Sequence, residues 1–299
     1  MALAVAFSFL AALGFASGYC LIRVATQRIS APTATFFTVV TGAILIMAMA
    51  LAVDLPEIKA LKPATLGWFA LMGAMAYPFA RVLNNMAITM VGASRSSPLA
   101  SLQPVFVFGL GMALLGERPN LQVSLGTFMV ACGLVLVLVA GNIPSAGGQV
   151  VNVRKLGYLL AMGGAAAFAS RDVISRYVVS SLAPPLVTAA FALTLGGLML
   201  FAITHRDVVH SIRRIPSKYI LMCGLAGIFQ GLAVASLFQA LSRAPVTVVS
   251  PINATTPLFT LLLVHIFLQR LETIHPVLAV GTLISVSGVT LVVLGAASS

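Results

Sequence analysis

The chain repeats itself: residues of its second half match residues of its first half at a nearly constant offset of 153 positions. Near the end of each half the offset grows to 155, after a two-residue insertion. The matched positions include a phenylalanine, an arginine, an aspartate and several prolines: Phe15 and Phe168, Arg23 and Arg176, Asp54 and Asp207, Ser97-Pro98 and Ser250-Pro251, Pro104 and Pro257. A duplication this complete makes internal symmetry the main constraint on the fold.

The composition is that of a protein dissolved in lipid. Hydrophobic residues make up 60% of the chain and charged residues only 8%, with a mean hydropathy of +1.08. Soluble domains carry about 25% charged residues, and a membrane-spanning helix needs about 20 mostly apolar residues. Such stretches recur along the chain at 3–24, 33–53, 66–90, 94–115, 121–140, 156–178, 184–204, 217–241, 246–268 and 274–295. The sequence therefore predicts an all-α integral membrane protein with ten transmembrane helices.

The domain organisation follows from the repeat. We expect a first five-helix repeat over 1–141, a linker over 142–155 and a second five-helix repeat over 156–299. The N-terminal apolar stretch is interpreted as a helix rather than a signal peptide, because no basic residue precedes it. The three cysteines fall inside apolar stretches and have no metal-ligand spacing.

An odd number of helices per repeat has a mechanical consequence. If each half crosses the bilayer five times, the second half enters from the opposite side, and the halves are related by a pseudo-two-fold axis in the membrane plane. Inverted repeats of this kind are typical of secondary transporters, whose substrate site lies near the midplane between the repeats. The sequence therefore predicts two inverted five-helix repeats around a central cavity. In the alternative interpretation, the duplication only enlarges a helix bundle.

Two stretches carry a family resemblance: GERPNLQVSLGTFMVACGLVLVL at 116–138 and RLETIHPVLAVGTLISVSGVTLVV at 270–293. With the prolines of the fourth and ninth helices, they resemble the drug/metabolite transporter superfamily, specifically its ten-helix EamA-type members. Within it the chain most resembles exporters of aromatic amino acids from bacterial inner membranes. The resemblance implies a basket of ten helices that moves small metabolites, commonly amino acids, out of the cytoplasm.

The family's usual orientation, with both termini in the cytoplasm, conflicts with the charges of the loops. It leaves the most basic loop outside, with Arg206, Arg213, Arg214 and Lys218. Positive-inside counting favours the opposite orientation. We keep the family orientation as the expectation, because halves that insert both ways carry a weak charge bias.

The third helix carries the strongest candidate substrate site. Tyr77, Arg81 and Asn84 share one helical face, with Asn85 beside them, and Gln230 is the repeat counterpart of Tyr77. An arginine at membrane depth is a functional-site hypothesis by default, and a guanidinium binds a carboxylate with two hydrogen bonds. We expect this face and Gln230 to bind an amino acid. The alternative is that Arg81 snorkels or braces a neighbouring helix.

Prolines interrupt the fourth and ninth helices at equivalent positions. Pro104 and Pro257 lie at mid-membrane and Pro98 and Pro251 lie earlier in the same helices. Because a proline removes a helical hydrogen bond and clashes with a carbonyl, we expect these four residues to act as hinges. Static kinks are the alternative.

Several other residues are expected around the same cavity or between the helices. Asn253 and Thr256 add donors and acceptors on the ninth helix, and Tyr19 is a candidate on the first. The aromatic residues at 15 and 168 either contact the apolar part of a substrate or simply pack. Asp172 and Arg176, four residues apart, predict a helical ion pair.

Residues before and within the last helix of each repeat are expected to be architectural. Glu117 and Glu272 precede these helices and are predicted to cap or orient helix ends. Glycines seven residues apart predict close helix packing at Gly126 with Gly133 and at Gly281 with Gly288.

The remaining observations narrow the function class. The resemblance implies that drug-exporting relatives use a membrane glutamate in their first helix. The first helix here holds no acid, which disfavours proton-coupled export of cationic drugs by that route, and no P-loop is present. Nucleotide-sugar transport would need several cavity cations for the phosphates, and Arg81 is the only clear candidate, which argues against such substrates. A membrane enzyme acting on lipid-linked substrates is the rival class, but the four histidines are scattered and no HExxH or G-x-S-x-G arrangement occurs.

We therefore expect a transporter rather than an enzyme, and a monomer without cofactor or metal. Its partners are a small-molecule substrate and membrane lipid. The net charge of +11 is assigned to loops that meet anionic headgroups, and no nucleic acid is expected as a partner.

Overall fold

The structure is a computed structural model, and it describes residues 1–26, 28–91, 99–141, 155–212, 216–267 and 276–298. These residues form helices joined by short connections, and no strand occurs among them. The helices of the first repeat are α1 Ala2–Ala25, α2 Ala31–Val53, α3 Leu55–Lys59, α4 Pro63–Ala74, the π-helix π1 Met75–Phe79, α5 Ala80–Val91, α6 Gln103–Leu115 and α7 Leu121–Gly141. The second repeat contributes α8 Lys155–Ser181, α9 Pro185–Ile212, α10 Ser217–Arg243, α11 Val246–Asn253, α12 Thr256–Phe267 and α13 Pro276–Ala297.

The helices are those of a multi-pass membrane protein. Among the described residues, seven helical segments are long and apolar enough to cross a membrane, and two shorter apolar helices accompany them at Gln103–Leu115 and Leu121–Val137. The charged helix α8, with Arg171, Asp172 and Arg176, is not among the seven. The all-helical prediction is confirmed for this part of the chain, whereas the count of ten spans stays a prediction.

Three helical stretches are interrupted, each at a proline. Pro78 lies inside π1, which joins α4 to α5. A turn at 101–102 precedes α6, whose second residue is Pro104, and a turn at 254–255 precedes Pro257 in α12. Proline has no N–H to donate to the preceding turn, so the helix restarts at these positions. Helical interruptions of this type are tolerated in a membrane where they line a cavity.

The other two predicted hinge prolines differ from Pro104 and Pro257. Pro251 lies buried inside α11, which continues through it and ends two residues later at Asn253. The helix is therefore unbroken at Pro251, and the break falls at 254–255 instead. Pro98 lies outside the described residues.

Equivalent helices of the two repeats run antiparallel, as α7 and α13 show most directly. A Cβ atom added to Gly126 would lie 2.5 Å from the carbonyl oxygen of Gly288, and one added to Gly133 would lie 2.6 Å from that of Gly281. The earlier glycine of one helix thus meets the later glycine of the other. Since α7 and α13 are repeat equivalents, the axis that exchanges them is perpendicular to the helices. That is the geometry of an inverted repeat, and the predicted close approach at these glycines is confirmed.

The other contacts between the repeats follow the same two-fold relationship. The first helix of each repeat packs on the third of the other: α1 lies along α10, and α8 lies along α5 and π1. The second helices, α2 and α9, pack on each other across the axis. The core of the molecule is therefore shared between the repeats.

Alternating helix directions give the bundle two ends, which we name after the chain segments found there. The terminal side holds the start of α1, the end of α13 and the loops before α4, α7, α9 and α11. There Asn120 donates a 2.7 Å hydrogen bond to the Gly295 carbonyl oxygen, and Arg243 lies 5.2 Å from the ring centroid of Phe7. The linker side holds the end of α7 and the start of α8.

A continuous hydrophobic core fills the bundle toward the terminal side. Its largest fully buried side chains include Ile46 of α2, Phe69 of α4 and Phe238 of α10. Ile46 and Phe238 lie in the halves of α2 and α10 nearer the terminal side, and Phe69 lies in the terminal half of the continuous stretch α4–π1–α5. This core closes that end of the molecule and leaves the space between the repeats on the linker side.

Candidate substrate site

A cavity of about 620 Å³ lies between the two repeats. Its walls come from the middle of the helices and from their ends on the linker side, with Tyr19 of α1 and Thr38 of α2 in the first repeat, and Gln230 of α10 and Thr260 of α12 in the second. Pockets of about 300–1,000 Å³ are typical for small-molecule ligands. The cavity has the size and the position that an inverted-repeat transporter needs for its substrate.

Arg81 and Tyr77 form one wall of this cavity. Tyr77 lies in π1, where its ring packs against Gly196 of α9, and the Arg81 guanidinium carbon lies 5.7 Å from its ring centroid. Arg81 Nη1 donates a 3.0 Å hydrogen bond to Thr35 Oγ1 at the start of α2. Arg81 is thus held inside the bundle by a side chain of a neighbouring helix, and its charge faces the cavity.

Of the other two candidates on the third helix, Asn84 and Asn85, the structure describes only the side chain of Asn84. Asn84 lines the cavity and packs against Gly164 of α8, where a Cβ atom would collide with the amide oxygen. The side chain of Asn85 lies outside the described part of the structure. Tyr19, on the first helix, lines the cavity with 47% of its surface exposed and stacks on Phe15.

Gln230 faces its repeat counterpart Tyr77 around the same cavity. It is buried, and a Cβ atom added to Gly18 of α1 would lie 2.5 Å from its Cγ atom. The glycine therefore lets the Gln230 side chain pass between α10 and α1. The sequence-predicted pair of mid-span polar residues is brought to one site.

The helix break of the second repeat contributes Asn253 and Thr256. Thr256 Oγ1 donates a 2.7 Å hydrogen bond to the backbone carbonyl oxygen of Asn253, across the turn between α11 and α12. Both residues line the cavity, as do the proline of this break, Pro257, and its counterpart Pro104. The two predicted mid-membrane hinges thus lie at the cavity wall.

A polar cluster that the sequence interpretation missed joins α6 to α8. Gln103 Nε2 donates a 2.8 Å hydrogen bond to Asp172 Oδ2, and Asp172 Oδ1 lies 3.0 Å from Arg171 Nη2. Gln103 and Arg171 line the cavity, and Asp172 is 2% exposed. The sequence signal that could have predicted this cluster was Arg171, a cation well inside an apolar stretch.

The predicted helical ion pair between Asp172 and Arg176 is wrong. Asp172 instead pairs with its chain neighbour Arg171 and with Gln103 of the other repeat. Arg176 Nε lies 3.9 Å from Glu117 Oε1, and Arg176 also donates to the Leu241 carbonyl oxygen. Packing rather than i, i+4 spacing selects these partners, because it brings Gln103 and Glu117 of the other repeat to the buried side chains of Asp172 and Arg176.

Buried polar atoms without a hydrogen-bond partner concentrate at this cavity. Among the described residues they are Arg81 Nε, Arg171 Nε, Asp172 Oδ1, Gln230 Nε2, Asn253 Oδ1 and Ser285 Oγ. All but the last lie on cavity-lining residues or directly behind one. An unsatisfied buried polar group is costly, and such groups are therefore expected where a ligand completes their hydrogen bonds.

The sequence matches the EamA-like transporter family twice, over residues 2–139 and 155–294. The chain belongs to the EamA-like transporter family. Both matches cover a whole repeat apart from its last residues, so the two-repeat architecture is that of the family. As an EamA-like protein, the chain is a multi-pass membrane transporter of small substrates.

A solved structure has the same fold as this EamA-like chain. That structure, named only "Crystal structure of protein", superposes with a TM-score of 0.77 at 20% sequence identity, and the match covers 99% of this chain and 98% of that one. No curated protein matches the sequence. In the part of the chain that the structure describes, no group of three His, Cys, Asp or Glu side chains is placed to hold a metal ion.

Proposed function

We propose that this chain exports neutral amino acids, with aromatic ones favoured, across the bacterial inner membrane by alternating access. The observation that supports this proposal most strongly is the composition of the cavity wall. It contains a fixed cation, buried amide and guanidinium atoms without hydrogen-bond partners, and several aromatic side chains. Arg81 is placed to bind the α-carboxylate, since a guanidinium forms two parallel hydrogen bonds to it. Asn253 Oδ1 is a buried acceptor available to an α-ammonium.

The apolar part of the cavity supports an aromatic substrate side chain. Phe15 and Phe168, repeat counterparts, both line the cavity. Tyr19 stacks on Phe15 with a centroid distance of 6.4 Å. Aromatic pairs prefer stacked or edge-on geometries, and a substrate ring extends such a cluster. The other interpretation of these two phenylalanines, simple packing, predicts that substrates with and without rings compete equally.

The mechanism we propose uses the inverted repeat. The cavity lies toward the linker side and the hydrophobic core closes the terminal side. Exchanging the conformations of the two repeats closes the linker side and opens the terminal side around the same substrate. With both termini in the cytoplasm, the linker side is the outer side, so the cavity lies nearer the outside.

Phosphorylated metabolites such as nucleotide sugars are the second candidate class. They favour several uncompensated cations, whereas the described cavity wall has two arginines, one of which is paired with Asp172. The single net positive charge fits one carboxylate better than a diphosphate.

Uptake into liposomes tests the proposal. Purified protein, reconstituted with an excess of unlabelled phenylalanine inside, is expected to accumulate labelled phenylalanine by counterflow. Leucine is expected to compete less well than tyrosine or tryptophan. Folded protein that transports no amino acid would contradict the proposal, and competition by a sugar nucleotide would favour the second candidate. Repeating the uptake with an imposed pH gradient separates proton-coupled transport from facilitated diffusion.

A further inference from the structure

We propose that Asp172 sets the charge of the substrate site and thereby makes it selective for substrates with one carboxylate over substrates with two. Asp172 acts through Arg171, so it is a positioning and specificity-determining residue rather than one that touches the substrate. This inference rests on the proposed amino-acid transport.

The geometry places Asp172 directly behind the cavity wall. Its side chain is buried and is not part of the lining, whereas Arg171 and Gln103 on either side of it are. Oδ1 lies 3.0 Å from Arg171 Nη2, and Oδ2 accepts a 2.8 Å hydrogen bond from Gln103 Nε2. Oδ2 therefore accepts a hydrogen bond from an amide, whereas Oδ1 faces the Arg171 cation as an ion pair without a hydrogen bond of its own.

Arg171 belongs to the same site as Arg81. Both line the cavity with Tyr77, whose ring centroid lies 5.7 Å from the Arg81 guanidinium carbon. Arg171 also reaches a small adjoining space of about 10 Å³ next to Tyr77 and Val234, on the core side of the main cavity. The site therefore holds two cations around one tyrosine.

Counting formal charges gives the selectivity. The described lining residues include two arginines and no carboxylate, and the buried Asp172 neutralises one of the two. The next ion pair along α8, between Arg176 and Glu117, is neutral in itself. The described lining therefore offers one free cation, Arg81, for one substrate carboxylate, while the substrate ammonium lies on neutral acceptors. A second carboxylate, as in glutamate, finds Arg171 already engaged.

The four-member substitution cycle at Arg171 and Asp172 separates charge from structure. Wild type carries a net +1, Asp172→Asn carries +2, Arg171→Gln carries 0, and the double variant returns to +1 through Arg81 alone. Asparagine keeps the size of aspartate, and its amide oxygen can still accept the hydrogen bond from Gln103. If Asp172 had only a structural role, adding Arg171→Gln to Asp172→Asn would not be expected to restore the wild-type substrate selectivity.

The measurement is the ratio of the concentrations of glutamate and phenylalanine that halve counterflow of labelled phenylalanine in liposomes. We expect Asp172→Asn to shift the ratio toward glutamate by about tenfold, since one unit charge at a partly desolvated site acts at that scale. Arg171→Gln is expected to shift it the other way, and the double variant to return it to near the wild-type ratio. Asp54→Asn, outside the cavity at the end of α2, is the matched control and leaves the ratio unchanged.

Each outcome is decisive. Wild-type uptake together with an unchanged ratio in Asp172→Asn overturns the charge-setting role and leaves the proposed function intact. If Asp172→Asn alone is inactive, restoration of uptake with a wild-type ratio in the double variant supports the role, and continued inactivity overturns it. Absence of amino-acid uptake by the folded wild type contradicts the proposed function itself.

Discussion

Glu117 of the first repeat caps a helix of the second repeat at Thr247. Glu117 Oε2 accepts hydrogen bonds from the Thr247 N–H at 3.0 Å and from its hydroxyl at 2.7 Å, while Oε1 accepts one from the Val246 N–H at 2.8 Å. Backbone N–H groups in the first turn of a helix have no intrahelical partner, and a carboxylate there also interacts favourably with the helix dipole. The contact ties the two repeats together on the terminal side.

Replacing Glu117 is therefore expected to weaken the closed terminal side. Glu117→Gln removes the charge from three hydrogen bonds and from the ion pair with Arg176, and hydrogen bonds to charged groups contribute about 1.5–3 kcal/mol each. We expect a lower unfolding temperature in detergent, with a loss of about 1–3 kcal/mol after partial compensation by the amide. Glu57→Gln, at an exposed residue of α3, is the control. Equal unfolding temperatures for the two variants would contradict this role.

The glycine contact between α7 and α13 predicts a steric effect. Gly288→Ala places a Cβ atom 2.7 Å from the Gly126 carbonyl oxygen, which forces the helices apart. Overpacking of this kind costs about 1–3 kcal/mol. Thermal unfolding is expected to show that loss. Gly67→Ala, whose Cβ meets nothing within 4 Å, is expected to be neutral or slightly stabilising because alanine favours helices. A neutral Gly288→Ala would show that the helices are not in contact there.

Arg81 is predicted to bind the substrate carboxylate through its planar fork of donors. Arg81→Gln is expected to weaken uptake by about tenfold or more, because a charge-assisted hydrogen bond of about 1.5–3 kcal/mol is lost. Arg81→Lys keeps the charge but lacks the planar fork of donors, so its uptake is expected to lie between that of the wild type and that of Arg81→Gln. The exposed Arg28→Gln variant serves as the control. Wild-type uptake by Arg81→Gln, from folded protein, removes Arg81 from the site.

The proline breaks at the cavity are predicted to move during transport. Pro104→Ala and Pro257→Ala restore an N–H donor and allow the helices to close over the turns at 101–102 and 254–255. If the breaks are hinges, the maximal uptake rate falls several-fold and the substrate concentration for half-maximal uptake changes with it. If they are static kinks, both quantities change little. Pro63→Ala, in the first turn of α4, is the control, because proline there leaves no hydrogen bond unmade.

Much of the architecture could be predicted because it depends on local pattern and symmetry. Most helix ends fall within a few residues of the predicted apolar stretches, although α9 runs on to Ile212, beyond the predicted end at 204. The matched glycine spacings of α7 and α13 predicted their close approach. The break positions followed from Pro104 and Pro257, since proline acts on its own turn. The π-helix at Tyr77-Pro78 was not predicted, because the hydrogen bond that a proline removes can lead either to a kink or to a π-helical turn.

Partner choice inside the bundle could not be predicted, because it depends on packing between the repeats. Asp172 pairs with Gln103 across 69 positions rather than with Arg176 one turn away. Glu117 was expected at a helix end near it in sequence, yet α7 takes its cap from Asn120, whose Oδ1 accepts a 2.9 Å hydrogen bond from the Val123 N–H. Glu117 serves α11 instead, and Glu272, its counterpart, lies outside the described residues.

Substrate protection of a single cysteine in the cavity tests the central claim most directly. In a variant whose three native cysteines are replaced, Ala254→Cys puts a thiol in the cavity wall and Lys62→Cys puts one on the exposed terminal side. We predict that saturating phenylalanine slows maleimide labelling at position 254 and leaves labelling at position 62 unchanged. Equal labelling at position 254 with and without phenylalanine, in protein that still transports it, would show that the substrate binds elsewhere.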